Sequence, residues 1–310
     1  MRFNFLQTLL PALIFLAVSF GLSACNHVGG GSVEQQRDKT LPTGNASFVF
    51  DKWAGPALKT WTYVPKQMTP ETPIVFVMHG VNRDGARYRD DWAGHAERGG
   101  FILVVPTFSK KQFPGAAGYN LGNIKTRKGG APVPRAQWAF SAIEPIFDRV
   151  KTMTGNVSTS YAMYGHSAGA QFVHRFVYFT PDARLSRAVA ANAGWYAMPD
   201  FDIAYPYGLA GAGLSKANLR RALSAGLVVL LGAEDTDPSH RHLRRTEGAN
   251  AQGPHRFARG QSFFNAGRDR AAQIKTTFGW TLQYAPGIGH KNRSMARFAA
   301  PLLVGRRPSK

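Results

Sequence analysis

The sequence has little cysteine and few acidic residues. Among its 310 residues there is one cysteine, and 18 Asp and Glu residues stand against 38 Lys and Arg residues, for a formal net charge of +20. The positive residues are scattered, and no helix-turn-helix, RNA-binding or zinc pattern accompanies them, so nucleic acid is not an expected partner. The charge favours attraction to anionic lipid head groups or polyanionic polymers; the alternative is a solvated charged surface.

The sequence also lacks an apolar run that clearly suits a membrane span. The run from Leu9 to Leu22 is somewhat short and carries Pro11 and Ser19. It follows Met1-Arg2 and ends in Leu22-Ser23-Ala24-Cys25, which resembles a bacterial lipoprotein signal with a basic start and a lipidated cysteine. An ordinary cleaved signal and a short membrane anchor are the alternatives.

This resemblance predicts where the protein is located. Residues 1–24 are expected to be removed, and Cys25 is expected to carry the lipid, a palmitate-type acyl anchor. A lipid-anchored envelope protein does not need disulfide bonds, so a single cysteine is consistent with this location. Asn26 resembles outer-membrane sorting signals, which predicts the periplasmic face of the outer membrane in the bacterial cell envelope. The protein is secreted instead if the signal is simply cleaved.

No internal repeat divides the chain. Residues 25–45 include Gly29-Gly30-Gly31-Ser32 and many polar residues, which is typical of a flexible tether. Residues 46–310 then suit one large α/β domain, because roughly 285 residues remain after removal of the signal. A hydrophobic content of 44% is ample for a buried core.

Metal-binding patterns are absent as well. The segment from His240 to Arg259 holds three histidines and five arginines, but no carboxylate or cysteine completes a recognisable ligand spacing. Neither a metal nor another cofactor is therefore expected. We interpret residues 240–259 as a basic flap over a site, with a solvated loop as the alternative. The long basic loop 107–133 is expected to border the substrate, because loops at the carboxyl ends of strands form the binding surface of open α/β sheets.

What the sequence does contain is a serine bracketed by glycines. Ser160 to Val173 indicates a strand, then Gly165-His166-Ser167-Ala168-Gly169, then a helix. A G-x-S-x-G at such a junction is a nucleophile elbow, in which a strained backbone exposes the serine above the sheet. Ser167 is therefore the candidate nucleophile. The N–H of Ala168, at the start of the helix, is a candidate oxyanion donor.

Three further strand-like runs support this interpretation. Ile74 to Met78 leads into His79-Gly80, Leu227 to Gly232 opens into Ala233-Glu234-Asp235-Thr236-Asp237, and Trp280 to Ala285 is followed by Gly287-Ile288-Gly289-His290. The order is oxyanion loop, serine, acid, histidine. That is the order of the α/β-hydrolases and differs from those of the other common serine hydrolases.

The chain resembles an α/β-hydrolase serine esterase similar to poly(3-hydroxybutyrate) depolymerases and feruloyl esterases. The resemblance is carried by His79-Gly80-Val81, Gly165 to Gly169, Gly232-Ala233-Glu234-Asp235 and Gly289-His290, and covers about residues 48–304. It implies a mostly parallel central sheet with helices on both faces. The chain departs from the depolymerases by having no cysteine in the hydrolase region, which weakens the expectation of a polymer substrate more than that of the fold.

The residues suggest a role for each member of the site. His290 is the candidate base, with His166 as competitor; His166 is expected to point away, and His79 to be a structural hydrogen bonder. Asp235 fits the family's G-x-x-D spacing for the acid, with Asp237 second and Glu234 third. The second expected oxyanion donor is the N–H of Val81.

These features predict a carboxylic ester hydrolase that works through an acyl-enzyme intermediate. A polyester, an acylated polysaccharide or an aryl ester is the expected substrate. The aromatic stretch from Trp195 to Ala212 is expected either to wall an acyl or aryl pocket or to pack beneath a loop. The alternatives are an envelope acyltransferase or lipase, and a non-catalytic basic lipoprotein that binds anionic envelope polymer. The oligomeric state is left open.

Overall fold

A single eight-stranded sheet forms the centre of the molecule. The computed structural model describes residues 40–126 and 130–305. The strands in chain order are β1 Gly44–Phe50, β2 Leu58–Val64, β3 Ile74–Met78, β4 Ile102–Thr107, β5 Tyr161–His166, β6 Leu185–Ala191, β7 Leu227–Gly232 and β8 Thr281–Ala285. Their spatial order is β1-β2-β4-β3-β5-β6-β7-β8, and β3 to β8 run parallel while β1 and β2 are antiparallel to their neighbours.

Helices cover both faces of this sheet. They are α1 Gly85–Gly99, α2 Gly115–Gly118, α3 Ile143–Thr154, α4 Ala168–Phe179, α5 Lys216–Ser224, α6 Glu247–Asn250, α7 Arg256–Gln273 and α8 Asn292–Val304. Alternate side chains of β3 enter different cores: Phe76 belongs to the core with α3, α4 and α7, whereas Val75 belongs to the core with α1 and α8. The predicted fold class, a mostly parallel sheet with helices on both faces, is confirmed.

The predicted runs and the observed elements agree where apolar patterning is strong. All five residues of β3 are buried, as expected for a strand covered on both sides. The alternating apolar and polar residues over 46–50 and 59–65 predict antiparallel opening strands, and these match β1 and β2. The helix predicted after Ser167 also matches. β1 begins at Gly44, two residues before the predicted start of the domain.

Two predicted helices have different boundaries. The sequence pattern over residues 134–153 predicts one helix, but the observed helix begins at Ile143, because residues 135–142 form two 3₁₀ turns. Trp138 Nε1 donates to Val133 O and Ala139 N donates to Gly122 O, each at 2.8 Å, which fixes these turns. The pattern over residues 263–275 predicts another helix, and the observed helix begins earlier, at residue 256. The imidazole Nδ1 of His255 caps it by accepting from Ala258 N at 3.2 Å.

The predictions for the N-terminal region fall outside the described residues. Cys25, the signal and nearly all of the tether precede residue 40, and residues 127–129 of the basic loop are also not described. Within the described part of the chain, no helix is both long and apolar enough to cross a membrane.

Candidate active site

Ser167 lies at the sharp turn between β5 and α4. Its backbone has φ +59° and ψ −113°, a conformation that side-chain-bearing residues rarely adopt. A Cβ on Gly165 would overlap the carbonyl of Gly169, and a Cβ on Gly169 would overlap the carbonyl of Met78. Glycine at position 165 thus allows β5 and α4 to approach closely, and glycine at position 169 allows α4 to approach the end of β3; together they hold this turn.

The structure brings Ser167, His290 and Asp235 together from three separate loops. His290 Nε2 lies 3.0 Å from Ser167 Oγ, and His290 Nδ1 lies 2.7 Å from Asp235 Oδ2. The Asp235 side chain is 3% exposed and the His290 side chain 14% exposed. A carboxylate is acceptor-only, so Nδ1 carries the proton donated to Asp235, and Nε2 is left to accept from the serine hydroxyl.

The other two candidate acids do not reach His290. Asp237 Oδ1 instead accepts from Ser239 N at 2.8 Å and from Ser239 Oγ at 2.7 Å, so it closes a local turn. Glu234 N donates to Ile288 O at 3.0 Å, which joins its loop to the loop that precedes His290. Of the three carboxylates, Asp235 alone is within hydrogen-bond distance of the imidazole in the described chain.

Asn192 holds the two loops in register. This residue follows β6, is 1% exposed and has φ +53°. Its Oδ1 accepts from Gly232 N at 2.7 Å, and its Nδ2 donates to Gly289 O at 3.2 Å. One side chain therefore ties the end of β7, which leads to Asp235, to the residue before His290.

Arg256 is a second partner of Asp235 that sequence reasoning did not single out. Its guanidinium lies 3.4 Å from Asp235 Oδ1 and 3.1 Å from His240 Nδ1, and the side chain is 1% exposed. Burial lowers the pKa of Arg256, while Asp235 opposes that shift. The basic composition of residues 240–259 was the one sequence signal for an arginine near the site. The Arg256–Asp235 contact itself joins residues 21 positions apart, and Arg256 lies in a helical turn that the sequence did not predict.

Ala168 and Val81, whose N–H groups are the expected oxyanion donors, border the space beside Ser167. Ala168 is the first residue of α4, so its N–H has no partner within the helix. Both residues line a cavity that also contains Ser167. Among the described residues, no acceptor is recorded for either N–H.

His79 supports the loop that carries Val81. Its Nε2 accepts from Phe108 N at 3.1 Å, and its carbonyl accepts from Tyr119 Oη at 2.8 Å. Complete burial, followed by the charge of Arg83, lowers the pKa of His79 to about 3, so the ring is neutral. His79 thus acts as the structural hydrogen bonder expected from the sequence.

The expectation that His166 points away from the site is wrong. Its ring centroid lies 4.6 Å from that of His290, and its Nδ1 lies 3.3 Å from Tyr88 Oη. Burial first, and then neighbouring cationic groups, lower the pKa of His166 well below its usual value. A neutral imidazole therefore packs on the face of His290, because the turn at Ser167 directs this side chain toward α1 and α8.

Ser167 opens into a basic cavity of about 520 Å³. Its ionisable lining comprises Arg87, Asp91, Arg241, Lys291 and Arg293, besides four histidines. Asp91 accepts from Asn292 Nδ2 and Arg293 Nε, each at 2.9 Å, and lies 3.4 Å from Arg87. The single carboxylate of this lining is thus already surrounded by donors, and the cavity is net positive.

Residues from the loop 107–133, the flap segment 240–259 and the aromatic stretch 195–212 reach the site. Asn120 of the first segment lines a smaller cavity beside Ser167. His240 and His242 line the large cavity, and the ring centroid of His240 is 5.3 Å from that of His290. Trp195 lines the same smaller cavity as Asn120, so the wall interpretation of the aromatic stretch applies to this residue. In residues 40–126 and 130–305, no group of three His, Cys, Asp or Glu side chains is placed to hold a metal ion.

Solved structures similar to this chain are hydrolases. Poly(aspartic acid) hydrolase-1 from Sphingomonas sp. KT-1 has 48% sequence identity and a TM-score of 0.83, covering 85% of this chain and 99% of that one. LpqC, a poly(3-hydroxybutyrate) depolymerase from Bordetella parapertussis, has 37% identity and a TM-score of 0.80, covering 86% and 93%. S-formylglutathione hydrolase from Agrobacterium tumefaciens, with 15% identity, a TM-score of 0.56 and coverage of 85% and 95%, shares the fold. No protein-family model matches the chain, and a search of curated proteins found no match.

The sheet and the serine-centred site define the class of this protein, a hydrolase with the α/β-hydrolase fold. The chain belongs to the family of serine hydrolases that includes poly(aspartic acid) hydrolase-1 and LpqC. This confirms the resemblance to poly(3-hydroxybutyrate) depolymerases that the sequence motifs predicted.

Proposed function

We propose that the protein is a carboxylic ester hydrolase in which Ser167, His290 and Asp235 form a catalytic triad. The observation that carries this proposal is the continuous hydrogen-bonded chain from Ser167 Oγ through His290 to Asp235, with distances of 3.0 and 2.7 Å. Such a chain activates a hydroxyl that is otherwise a poor nucleophile.

In the proposed mechanism, Ser167 Oγ attacks the ester carbonyl while His290 Nε2 takes the hydroxyl proton. The N–H groups of Ala168 and Val81 stabilise the negative oxygen of the tetrahedral intermediate. His290 then protonates the leaving alcohol, which leaves an acyl-enzyme on Ser167. Water, activated by the same imidazole, hydrolyses the acyl-enzyme and restores the serine.

Replacement of the serine tests this proposal. Ser167→Ala should lower kcat/KM for a p-nitrophenyl ester by about 10⁴-fold or more and abolish labelling by a fluorophosphonate probe, because the nucleophile is gone. Ser224→Ala, an exposed serine at the end of α5, is the matched control and should leave both unchanged. Wild-type hydrolysis or labelling of Ser167→Ala would overturn the assignment.

A second candidate substrate is an anionic polymer. Four cationic side chains line the cavity at Ser167, and the chain carries a net charge of +20. The similar Sphingomonas enzyme is a poly(aspartic acid) hydrolase. The same triad can cleave the amide bonds of such a polymer, with His290 protonating a leaving amine in place of the alcohol. Under this proposal, kcat/KM for poly(aspartic acid) should fall steeply as the salt concentration is raised, because salt screens the attraction between exposed charges. The kcat/KM for a neutral p-nitrophenyl ester should stay nearly constant. Equal salt dependence for both substrates would argue against it.

We further propose that residues 1–24 are a lipoprotein signal and that lipidated Cys25 anchors the enzyme in the bacterial envelope. The support is the sequence Leu22-Ser23-Ala24-Cys25 after a basic start and a short apolar run. Labelled palmitate should be incorporated into the full chain expressed in bacteria, and Cys25→Ala should abolish incorporation. Equal labelling of the two proteins would refute the anchor.

A further inference from the structure

A second, smaller cavity meets the large one at Ser167. It measures about 170 Å³. Its polar lining side chains besides Ser167 are those of Asn120, Gln171, Trp195, His242 and Arg244, and Val81 and Ala168 also line it. The two cavities share Ser167, Val81 and His242, but His290 and His166 line only the larger one. Ser167 therefore stands between two separate compartments.

The position of His290 distinguishes the roles of the two compartments. In the proposed mechanism the imidazole must protonate the leaving oxygen, so the alcohol side of the substrate lies in the large cavity that His290 lines. The acyl side then lies in the small cavity, beside the N–H groups of Ala168 and Val81. This division of the substrate, and with it any acyl specificity of the small cavity, rests on the proposed function.

The small cavity contains a buried pair of carboxamides. Asn120 Nδ2 donates to Gln171 Oε1 at 3.0 Å, and the two residues are 8% and 5% exposed. This bond uses one polar group of each amide. Among the described residues, neither the remaining Asn120 Oδ1 nor the remaining Gln171 Nε2 has a hydrogen-bond partner.

The unpaired groups are one acceptor and one donor, side by side. If both amides were assigned the opposite way round, the bond would run from Gln171 to Asn120, and one donor and one acceptor would still be left. A group that both donates and accepts, such as a hydroxyl or an amide, satisfies the pair. An alkyl chain satisfies neither, and a carboxylate satisfies only the donor.

The pair is held rigidly relative to the nucleophile. Gln171 N donates to Ser167 O at 3.1 Å in the first turn of α4. Across the cavity, Arg175 and Arg244 lie over the Trp195 ring at 4.3 and 4.7 Å from its centroid, which fixes this wall. The fixed wall and the volume of about 170 Å³ favour a short acyl group.

We propose that Asn120 and Gln171 form an acyl subsite specific for a short acyl group that carries a hydroxyl or an amide near the scissile carbonyl. Two sources share this chemistry: hydroxyacyl esters and N-acylaminoacyl esters. In both, the polar group donates to the free carboxamide oxygen and accepts from the free carboxamide N–H. An unsubstituted acyl chain of the same length displaces water from both amides and offers no replacement.

Matched p-nitrophenyl esters test the subsite with the full chain. The butyrate is the reference, the 3-hydroxybutyrate supplies a hydroxyl, and the N-acetylglycinate supplies an amide. We expect kcat/KM for at least one polar ester to exceed that for butyrate by about 10-fold or more. A preference confined to one polar ester identifies which of the two sources the subsite accepts.

Variants of the pair should change this ratio of kcat/KM values. Gln171→Met and Asn120→Leu keep the side-chain volume but remove hydrogen bonding, so each should bring the polar-to-butyrate ratio toward one. Gln137→Met replaces an exposed glutamine outside both cavities and should keep the wild-type ratio. If a buried variant fails to fold, the ratio of kcat/KM values for the polar esters and the butyrate in the wild-type protein still tests the subsite.

A polar-to-butyrate ratio of kcat/KM values near one for both polar esters in the wild-type protein would overturn the proposed subsite. A ratio that stays at the wild-type value in both variants would overturn it as well. These outcomes differ from failure of the proposed function. In that case none of the three esters is hydrolysed and the fluorophosphonate probe does not label Ser167.

Discussion

Three neighbouring carboxylates were candidates for the acid that orients His290, and the geometry selects Asp235. It lies within three positions of two other carboxylates, yet its side chain is the one directed at His290 Nδ1, at 2.7 Å. Its other oxygen faces Arg256 at 3.4 Å. Because the carboxylate is buried, these two partners replace the water that it loses on folding.

Substitution should distinguish the two aspartates. Asp235→Asn should lower kcat by about 10³–10⁴-fold, because an amide cannot stabilise the imidazolium that forms as Ser167 attacks. Asp237→Asn, the matched control in the same loop, should leave kcat nearly unchanged, because within residues 40–126 and 130–305 the Asp237 carboxylate accepts hydrogen bonds from Ser239 alone. Steady-state kinetics on a p-nitrophenyl ester measures both, and the reverse order of effects would move the acid to Asp237.

Arg256 should act as a positioning residue through Asp235. Arg256→Met leaves a buried carboxylate with one partner fewer, so kcat should fall about 10–100-fold with little change in KM. Arg256→Lys should recover part of the loss. Arg268→Met, on the same helix but exposed and paired with Asp269, serves as the control. An unchanged kcat in Arg256→Met would limit Arg256 to a packing role.

At the scale of elements, the site is built where the carboxyl ends of β5, β6 and β7 lie side by side. These parallel strands present Ser167, Asn192 and the Asp235 loop at one edge of the sheet. Asn192 then connects the β7 loop with the loop that follows β8. The alignment of His290 thus depends on cross-loop hydrogen bonds as well as on the strands themselves.

Replacing Asn192 should separate backbone strain from hydrogen bonding. Asn192→Gly relieves the positive φ but removes both bonds, whereas Asn192→Ala removes both bonds and retains the strain. Both should lower kcat, and Ala should lower the free energy of unfolding by about 1 kcal/mol more than Gly. Urea denaturation measures this difference, with exposed Asn265→Ala as the control. Equal losses would show that strain contributes nothing here.

At the scale of the whole molecule, three buried histidines make the fold sensitive to acid. His79, His166 and His174 are neutral in the core, because burial lowers the pKa of each, that of His79 to about 3. His174 Nδ1 donates to Ala170 O at 2.8 Å, and its Nε2 accepts from Ala197 N at 3.1 Å. Protonation would break the second of these bonds.

Acid should therefore destabilise the protein below about pH 6.5, the ordinary pKa of histidine. In that range the unfolded chain binds protons that the folded chain excludes, so the free energy of unfolding falls as pH falls. Each buried histidine contributes about 1.4 kcal/mol per pH unit well below pH 6.5. Urea denaturation between about pH 7.5 and 5 measures the slope, and His174→Gln should reduce it. A flat profile would contradict the burial argument.

Local patterning predicted the central strands, the helix after Ser167 and the order of the chemical segments. Those features depend on residues near one another in the chain, such as the apolar run of β3 or the glycines two positions from Ser167. The start of α7, the turns over residues 135–142 and the orientation of His166 escaped prediction. Each is decided by contacts with other elements, which propensity does not encode.

The sequence by itself determined the fold class and the turn at Ser167, because apolar runs covered on both faces form parallel strands and only glycine permits β5 and α4 to approach so closely. Tertiary structure alone decided which carboxylate meets His290, that Arg256 supports it, and that Asn120 and Gln171 share a cavity. The physical reason is distance along the chain: the partners in these pairs are 21 to 55 residues apart, and only packing of the whole sheet brings them within hydrogen-bond range.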